Sequence, residues 1–212
     1  MSSAPGTKER LLDAMIEAMW ERGYSAISVD SVCEKAGVHK GSFYHFFRSK
    51  SELACHALDH LWTSRTQPRM DELFSPTKSP LCRLAALMKN WHENATESLI
   101  SNGRVLGCPY LTIGSETSNA EPEVASKARD MLNRFQRYLE SCLLEAKARG
   151  EVVVDDPLET AASIFAMMEG YAAQSRIHND PERVRHCAAS VERLLGVRGF
   201  AGSLAEPEFT SN

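Results

Sequence analysis

Apolar residues recur along this chain at helical spacing, not at the alternation of a strand. Leu12, Met15, Ile16 and Met19 fall at i, i+3, i+4 and i+7 behind Thr7, which stands where a cap belongs, and Gly23 ends the run. Ser28 is placed as N-cap ahead of Val29, Val32 and Ala36, and Gly37 closes this short second helix. Val38 and His39 lead into a third helix, to about His45. Ser49, with Glu52 three residues on, has the form of a capping box for a fourth that runs to about Pro68. Prolines at 68, 76 and 80 predict a loop from Gln67 to Pro80. Beyond it Leu84, Leu87, Met88, Trp91 and Ala95 form an apolar stripe. The stretch NGRVLGCPYL breaks that helix and starts another, and SNAEPEV breaks the chain again. A long helix follows over 123–149, stopped by Gly150. The only β-rich fragment, VVVDDP, reads as a linker, with Pro157 early in the next helix. Two last helices are predicted over 157–177 and 181–196.

There is no internal repeat. The pattern predicts an all-α protein of about nine helices: an N-terminal three-helix unit over 1–50, a larger helical bundle over 51–199, and a flexible tail over 200–212. The length of 212 residues and 43% hydrophobic content suffice for a proper core. A net charge of −4 argues against a chain that coats nucleic acid or membrane indiscriminately, so any such contact must be local. The six cysteines are widely scattered, with no C-x-x-C pair, and read as reduced thiols of a cytoplasmic protein. No signal peptide is visible at the start, and no run approaches the ~18–20 apolar residues of a membrane span. No membrane partner and no cofactor are expected.

One window departs from the overall acidity. Between Lys35 and Lys50 there is no carboxylate, while Lys35, Lys40, Arg48 and Lys50 supply four cations. Two short helices joined by Ala36-Gly37-Val38 have the form of a helix-turn-helix, whose second helix enters the major groove. Gly41 permits close approach, Ser42 can bond a phosphate or a base edge, and Tyr44 and His45 carry polar tips suited to phosphate oxygens. Lys50 opens a helix whose unpaired N–H groups favour an anion. Phe43, Phe46 and Phe47 are expected in the core. The bland reading makes the aromatics a core patch and the cations a solvated face.

The stretch from Thr7 to Leu53 resembles the N-terminal domain of the TetR family of transcriptional regulators. The residues that carry the resemblance are Glu21, Gly23 and Tyr24, the Ala36-Gly37-Val38 turn, Lys40 to Phe47, and the close Ser49-Lys50-Ser51-Glu52-Leu53. It implies Ser28, Lys40, Tyr44, His45 and Lys50 on phosphates, with His39, Lys40, Gly41 and Ser42 nearest the bases. Cys33 and His39 depart from the usual alanine and small residue, and the second bears on which operator is read. The resemblance also implies a homodimer on palindromic double-stranded DNA, released when a small-molecule effector wedges the middle helices apart.

About four phosphates neutralised per protomer would give the dimer a log–log salt slope of about −7. For the dimer contact, Ala161, Ala162, Ala166, Gly170 and Ala173 offer a small-residue face, and Val184, Cys187, Ala188, Val191 and Leu195 an apolar stripe; both can equally face the chain's own core. Met88, Trp91, Met131, Phe135 and Phe165, with Tyr110 and Cys108, are the candidates for lining an apolar effector site, although Met and aromatics at helical spacing are also ordinary core. Cys108 opens a helix ahead of Pro109, where the dipole favours a thiolate, and this start resembles a subgroup of the family with an electrophile- or oxidant-reactive cysteine. An inert thiol in an apolar gap is the alternative. Glu116 and Glu169 can serve a polar ligand group. Cys55, His56, Asp59 and His60 include an i, i+4 histidine pair, but spacing places no further metal ligand, so they read as a solvated face. Two other classes compete: an enzyme built on Cys108 with His92 as base, for which no ordering motif exists, and a helical adaptor that binds protein.

Overall fold

The computed structural model describes residues 6–199, and every regular element among them is helical. In chain order these are α1 (Thr7–Arg22), α2 (Val29–Ala36), α3 (Lys40–Phe46), α4 (Lys50–Leu61), α5 (Gln67–Leu73), α6 (Pro80–Asn102), α7 (Pro109–Thr117), α8 (Pro122–Ala148), α9 (Pro157–His178) and α10 (Glu182–Leu195). A π-helical turn, Trp62–Thr66, joins α4 to α5 without a break, so these helices form nine separate rods among the described residues. The tail expected over 200–212 lies outside the described residues.

Local signals account for most boundaries. Ser28 Oγ accepts the Ser31 N–H at 3.0 Å, and Ser31 Oγ accepts the Ser28 N–H at 3.1 Å. Gly37 adopts the left-handed conformation at φ 63°, where its N–H reaches the carbonyls of Cys33 and Glu34. Two expectations need correction. Gly6, not Thr7, caps α1, with its N–H on Glu9 Oε2 at 3.0 Å. The predicted loop from Gln67 is helical to Leu73. In the π turn the Gln67 N–H bonds the Trp62 carbonyl, which shifts the ladder, so that Pro68 enters at the second position of α5. Met70 and Leu73 are buried there, and that burial outweighs the proline.

The chain groups into two compact units, Met1–Arg69 with Cys108–Arg134, and Met70–Gly107 with Phe135–Asn212. In the first, α1 packs its buried Leu11, Leu12, Met15, Ile16 and Met19 against α2 and α4. Phe43 and Phe47, one helical turn apart, are fully buried with ring centroids 5.9 Å apart. Phe46 is not core: it is 38% exposed and stands edge-on to His45. Phe43 takes the inward face of this seven-residue helix, and Phe47, the extended residue that ends it, packs beside Phe43.

In the second unit, α6, α9 and α10 pack together with the rear half of α8. Arg83 is buried, pairs with Glu145 of α8, and donates to the Ser75 carbonyl at 3.0 Å, tying down the connection before α6. Burial pushes the thiols of Cys142 and Cys187 up to about 12. The α10 stripe lies inside its own unit: Val184, Cys187, Ala188, Val191 and Leu195 are all at most 5% exposed, because α10 packs on both α6 and α9. It is not a free interface.

Candidate nucleic-acid interface

The two helices joined at Gly37 present α3 outward. His39 caps α3 in extended backbone, and His39, Lys40, Gly41, Tyr44 and His45 are all exposed, with Ser42 half-buried. A Cβ added at Gly41 would meet nothing within 4 Å, so the outer surface of α3 is clear where it starts. Tyr44 is 56% exposed and braced edge-on against the buried Phe43 ring at 5.1 Å. Ser28 is exposed at the head of α2, its hydroxyl oxygen holding the cap. With Phe43 inside, the exposed Lys40, Tyr44 and His45 make α3 a hydrogen-bonding ridge.

The window without acids in sequence is not without acids in space. Lys40 Nζ pairs with Asp30 of α2 at 2.8 Å, which raises the lysine's pKa. Lys35 sits 3.1 Å from Glu17 and 3.3 Å from Glu21; burial opposes its charge, but the two carboxylates outweigh it and raise its pKa. Lys50 turns inward. Its ammonium donates to the carbonyls of Tyr24 (3.2 Å) and Ile27 (3.0 Å) and lies 4.0 Å from the centre of the Tyr24 ring. Neither Asp30 nor this inward turn of Lys50 has a signal in spacing; the first depends on how α3 meets α2, the second on how α4 meets the turn between α1 and α2.

These contacts change the expected salt dependence. With Lys40 and Arg48 as the cations facing out, the dimer neutralises about four phosphates, for a slope of about −4 in place of about −7. They also give Asp30 a measurable effect. Asp30→Asn removes the carboxylate that competes with phosphate for Lys40, and is expected to tighten DNA binding at low salt. The pair is exposed, so the gain should not exceed about fivefold. Fluorescence anisotropy on a labelled duplex checks this; weaker binding would mean that Asp30 orients Lys40 instead.

The effector candidates divide between the units. In the second, Trp91, Phe135 and Phe165 form a three-ring stack, with centroids 6.0 Å and 5.3 Å apart and planes within 28° of parallel. Met88 is buried in the same unit, as is Glu169, one turn beyond Phe165 on α9. In the first unit, Cys108 caps α7 and is half-buried, and Met131 is fully buried. The Tyr110 hydroxyl lies 2.8 Å from that of Thr66, and burial raises the phenol's pKa. Burial also raises the thiols of Cys33 and Cys55. Glu116 is not a ligand group in this structure: its carboxylate holds the backbone N–H groups of Tyr24 and Ser25. Asp59 pairs with Lys127 and His60 with Asp13, while His56 lies against the Phe47 ring. Among the described residues no three such side chains could hold a metal ion, and no helix is long and apolar enough to cross a membrane.

Taken together, a capped helix pair joined by a left-handed glycine and an exposed polar second helix define a DNA-binding protein of the helix-turn-helix class. The sequence profile for bacterial regulatory proteins of the tetR family matches residues 11–56, and that for the tetracyclin repressor-like C-terminal domain matches residues 80–191. The chain belongs to the TetR family of transcriptional regulators. It is 28% identical over 176 residues to the transcriptional regulator AcuR of Cereibacter sphaeroides, covering 82% of this chain and 78% of that protein. With the HTH-type transcriptional repressor NemR of Escherichia coli K12 it shares 22% over 194 residues, 89% of this chain and 94% of the other. Among solved structures, regulatory protein TetR from Rhodobacter sphaeroides superposes with a TM-score of 0.78 at 26% identity, covering 89% of this chain and 98% of that one. The reduced form of E. coli NemR gives 0.80 at 22%, covering 91% and 98%, a likeness of fold. These relatives are regulators of transcription, not enzymes.

Proposed function

We propose that this chain is a cytoplasmic repressor that binds palindromic double-stranded DNA as a homodimer and leaves it when a small, mostly apolar effector binds. The outward ridge of α3 carries the reading: His39, Lys40, Gly41 and Ser42 approach the bases, and Ser28, Lys40, Tyr44 and His45 the phosphates, while Lys50 contributes through the head of α4. On this reading residues 1–50 form the DNA-binding domain and 51–199 the effector and dimer domain.

Support for a homodimer comes from α9. Leu158, Ala162, Ala166, Gly170, Ala173 and Ile177 recur every three or four residues and lie half-buried to exposed in the single chain, with Ile177 74% exposed. Support for an apolar effector comes from the Trp91–Phe135–Phe165 stack, which a flat hydrophobic molecule can extend, with Glu169 near enough along α9 to take a polar group. Sensing through the Cys108 thiol is a second reading, supported by the residue's place at the head of α7.

Selection of duplexes from a randomised library by the full-length protein tests the whole reading. The expected product is an inverted repeat with half-sites about one helical turn apart, bound with a salt slope of about −4. Failure to enrich any duplex, or enrichment of a site without two-fold symmetry, would sink it.

A further inference from the structure

The turn between α1 and α2 is gripped from both sides by side chains far away in sequence. The N–H of Tyr24 donates to Glu116 Oε2 and that of Ser25 to Glu116 Oε1, each at 2.7 Å and across 92 and 91 residues of chain. Both donors lie just past the end of α1, so neither takes part in a helical ladder. Gly23 makes the approach possible. It sits at φ 80°, and a Cβ there would lie 2.8 Å from Glu116 Oε2. From the other side the Lys50 ammonium takes the carbonyls of Tyr24 and Ile27 in the same turn. A carboxylate thus holds the turn's N–H groups and an ammonium its C=O groups, and the next residue, Ser28, caps α2.

We propose that Glu116, carried on α7, is a positioning residue for the recognition helix: it holds the turn from which α2 and α3 hang. The inference rests on the DNA-binding reading above. Glu116 is itself exposed, so its contacts with the turn, and not core packing, are its contribution. Burial works against its charge, yet bonds from the Ser25 hydroxyl and the two backbone N–H groups, with the nearby Lys50, hold the carboxyl below its usual range, so it is ionised at neutral pH. The other end of α7 is tied down as well, by the Tyr110–Thr66 hydroxyl pair beside the π turn. Nothing in sequence spacing announces the contact of Glu116 with the turn.

The test uses the duplex that the wild-type protein enriches from the randomised library. If the wild type enriches none, the DNA reading fails before this inference is reached. Glu116→Gln keeps the side chain's size but presents an NH₂ to one of the two N–H groups. Glu116→Asp keeps the charge but withdraws it by one methylene. Asp59→Asn is the control, because it breaks another long-range pair of the same unit, to Lys127, without touching the turn. Both Glu116 variants should bind about tenfold more weakly. Hydrogen exchange at the Tyr24 and Ser25 amides should quicken, and the thermal midpoints should match that of Asp59→Asn. Wild-type affinity in both Glu116 variants overturns the proposal. So does an equal loss in Asp59→Asn, which would reveal general loosening of the unit.

Discussion

Ala166→Glu should convert the dimer to a monomer and lower operator affinity by about 10²- to 10⁴-fold, the range that tethering two weak sites supplies. Ala166 lies midway along the outward stripe of α9, which starts at Leu158 and ends at Ile177, and it is exposed in the single chain. Small residues in the middle of such a stripe let two helices approach closely, and the larger apolar residues at its ends close the edges. In a two-fold interface every substitution enters twice, so a glutamate there brings two carboxylates into one apolar contact. The single chain should tolerate the change, since the side chain points away from its own core. Sedimentation and DNA titration measure the two effects separately. A variant that stays dimeric places the contact on another surface; a monomer with undiminished affinity removes the need for a dimer.

Phe43→Ala should destabilise the chain by about 3–5 kcal/mol, as expected for truncation of a fully buried aromatic. The ring is held by Phe47 at 5.9 Å and by the edge of Tyr44 at 5.1 Å, and it is the inward anchor of α3. Losing it frees the recognition helix, so DNA binding should fall with stability. Phe46→Ala, three residues along, is the contrast. Its ring is 38% exposed, and the substitution should cost no more than about 1.5 kcal/mol. Urea denaturation followed by circular dichroism gives both numbers. Similar costs at the two positions would mean that α3 is seated differently from the arrangement described here.

Phe43 and Phe46 show where reading the chain one residue after another stops. Three phenylalanines in five residues announce a buried patch, but only Phe43 of α3 and Phe47 just past its end are buried, and only their neighbours select which. The Val184–Leu195 stripe poses the same problem on a larger scale. Its periodicity says that one face is apolar and is silent on whether α6 and α9 or a second chain covers it; here α6 and α9 do. The Gln67–Leu73 segment reads as a loop because a proline is a strong local signal, yet buried Met70 and Leu73, with the π turn ahead of them, override it.

The sequence by itself determined the serine caps of α2 and α4, the left-handed turn at Gly37, the apolar face of each long helix and the outward polar residues of the recognition helix. Each of these is an interaction within about four residues, where covalent connectivity fixes who meets whom. Only the tertiary structure decided that Lys40 answers to Asp30, that Lys50 faces inward, and that Glu116 grips the α1–α2 turn. Those partners come from other helices, at separations where spacing carries no information, and their geometry exists only once the cores have packed and brought the charges within reach.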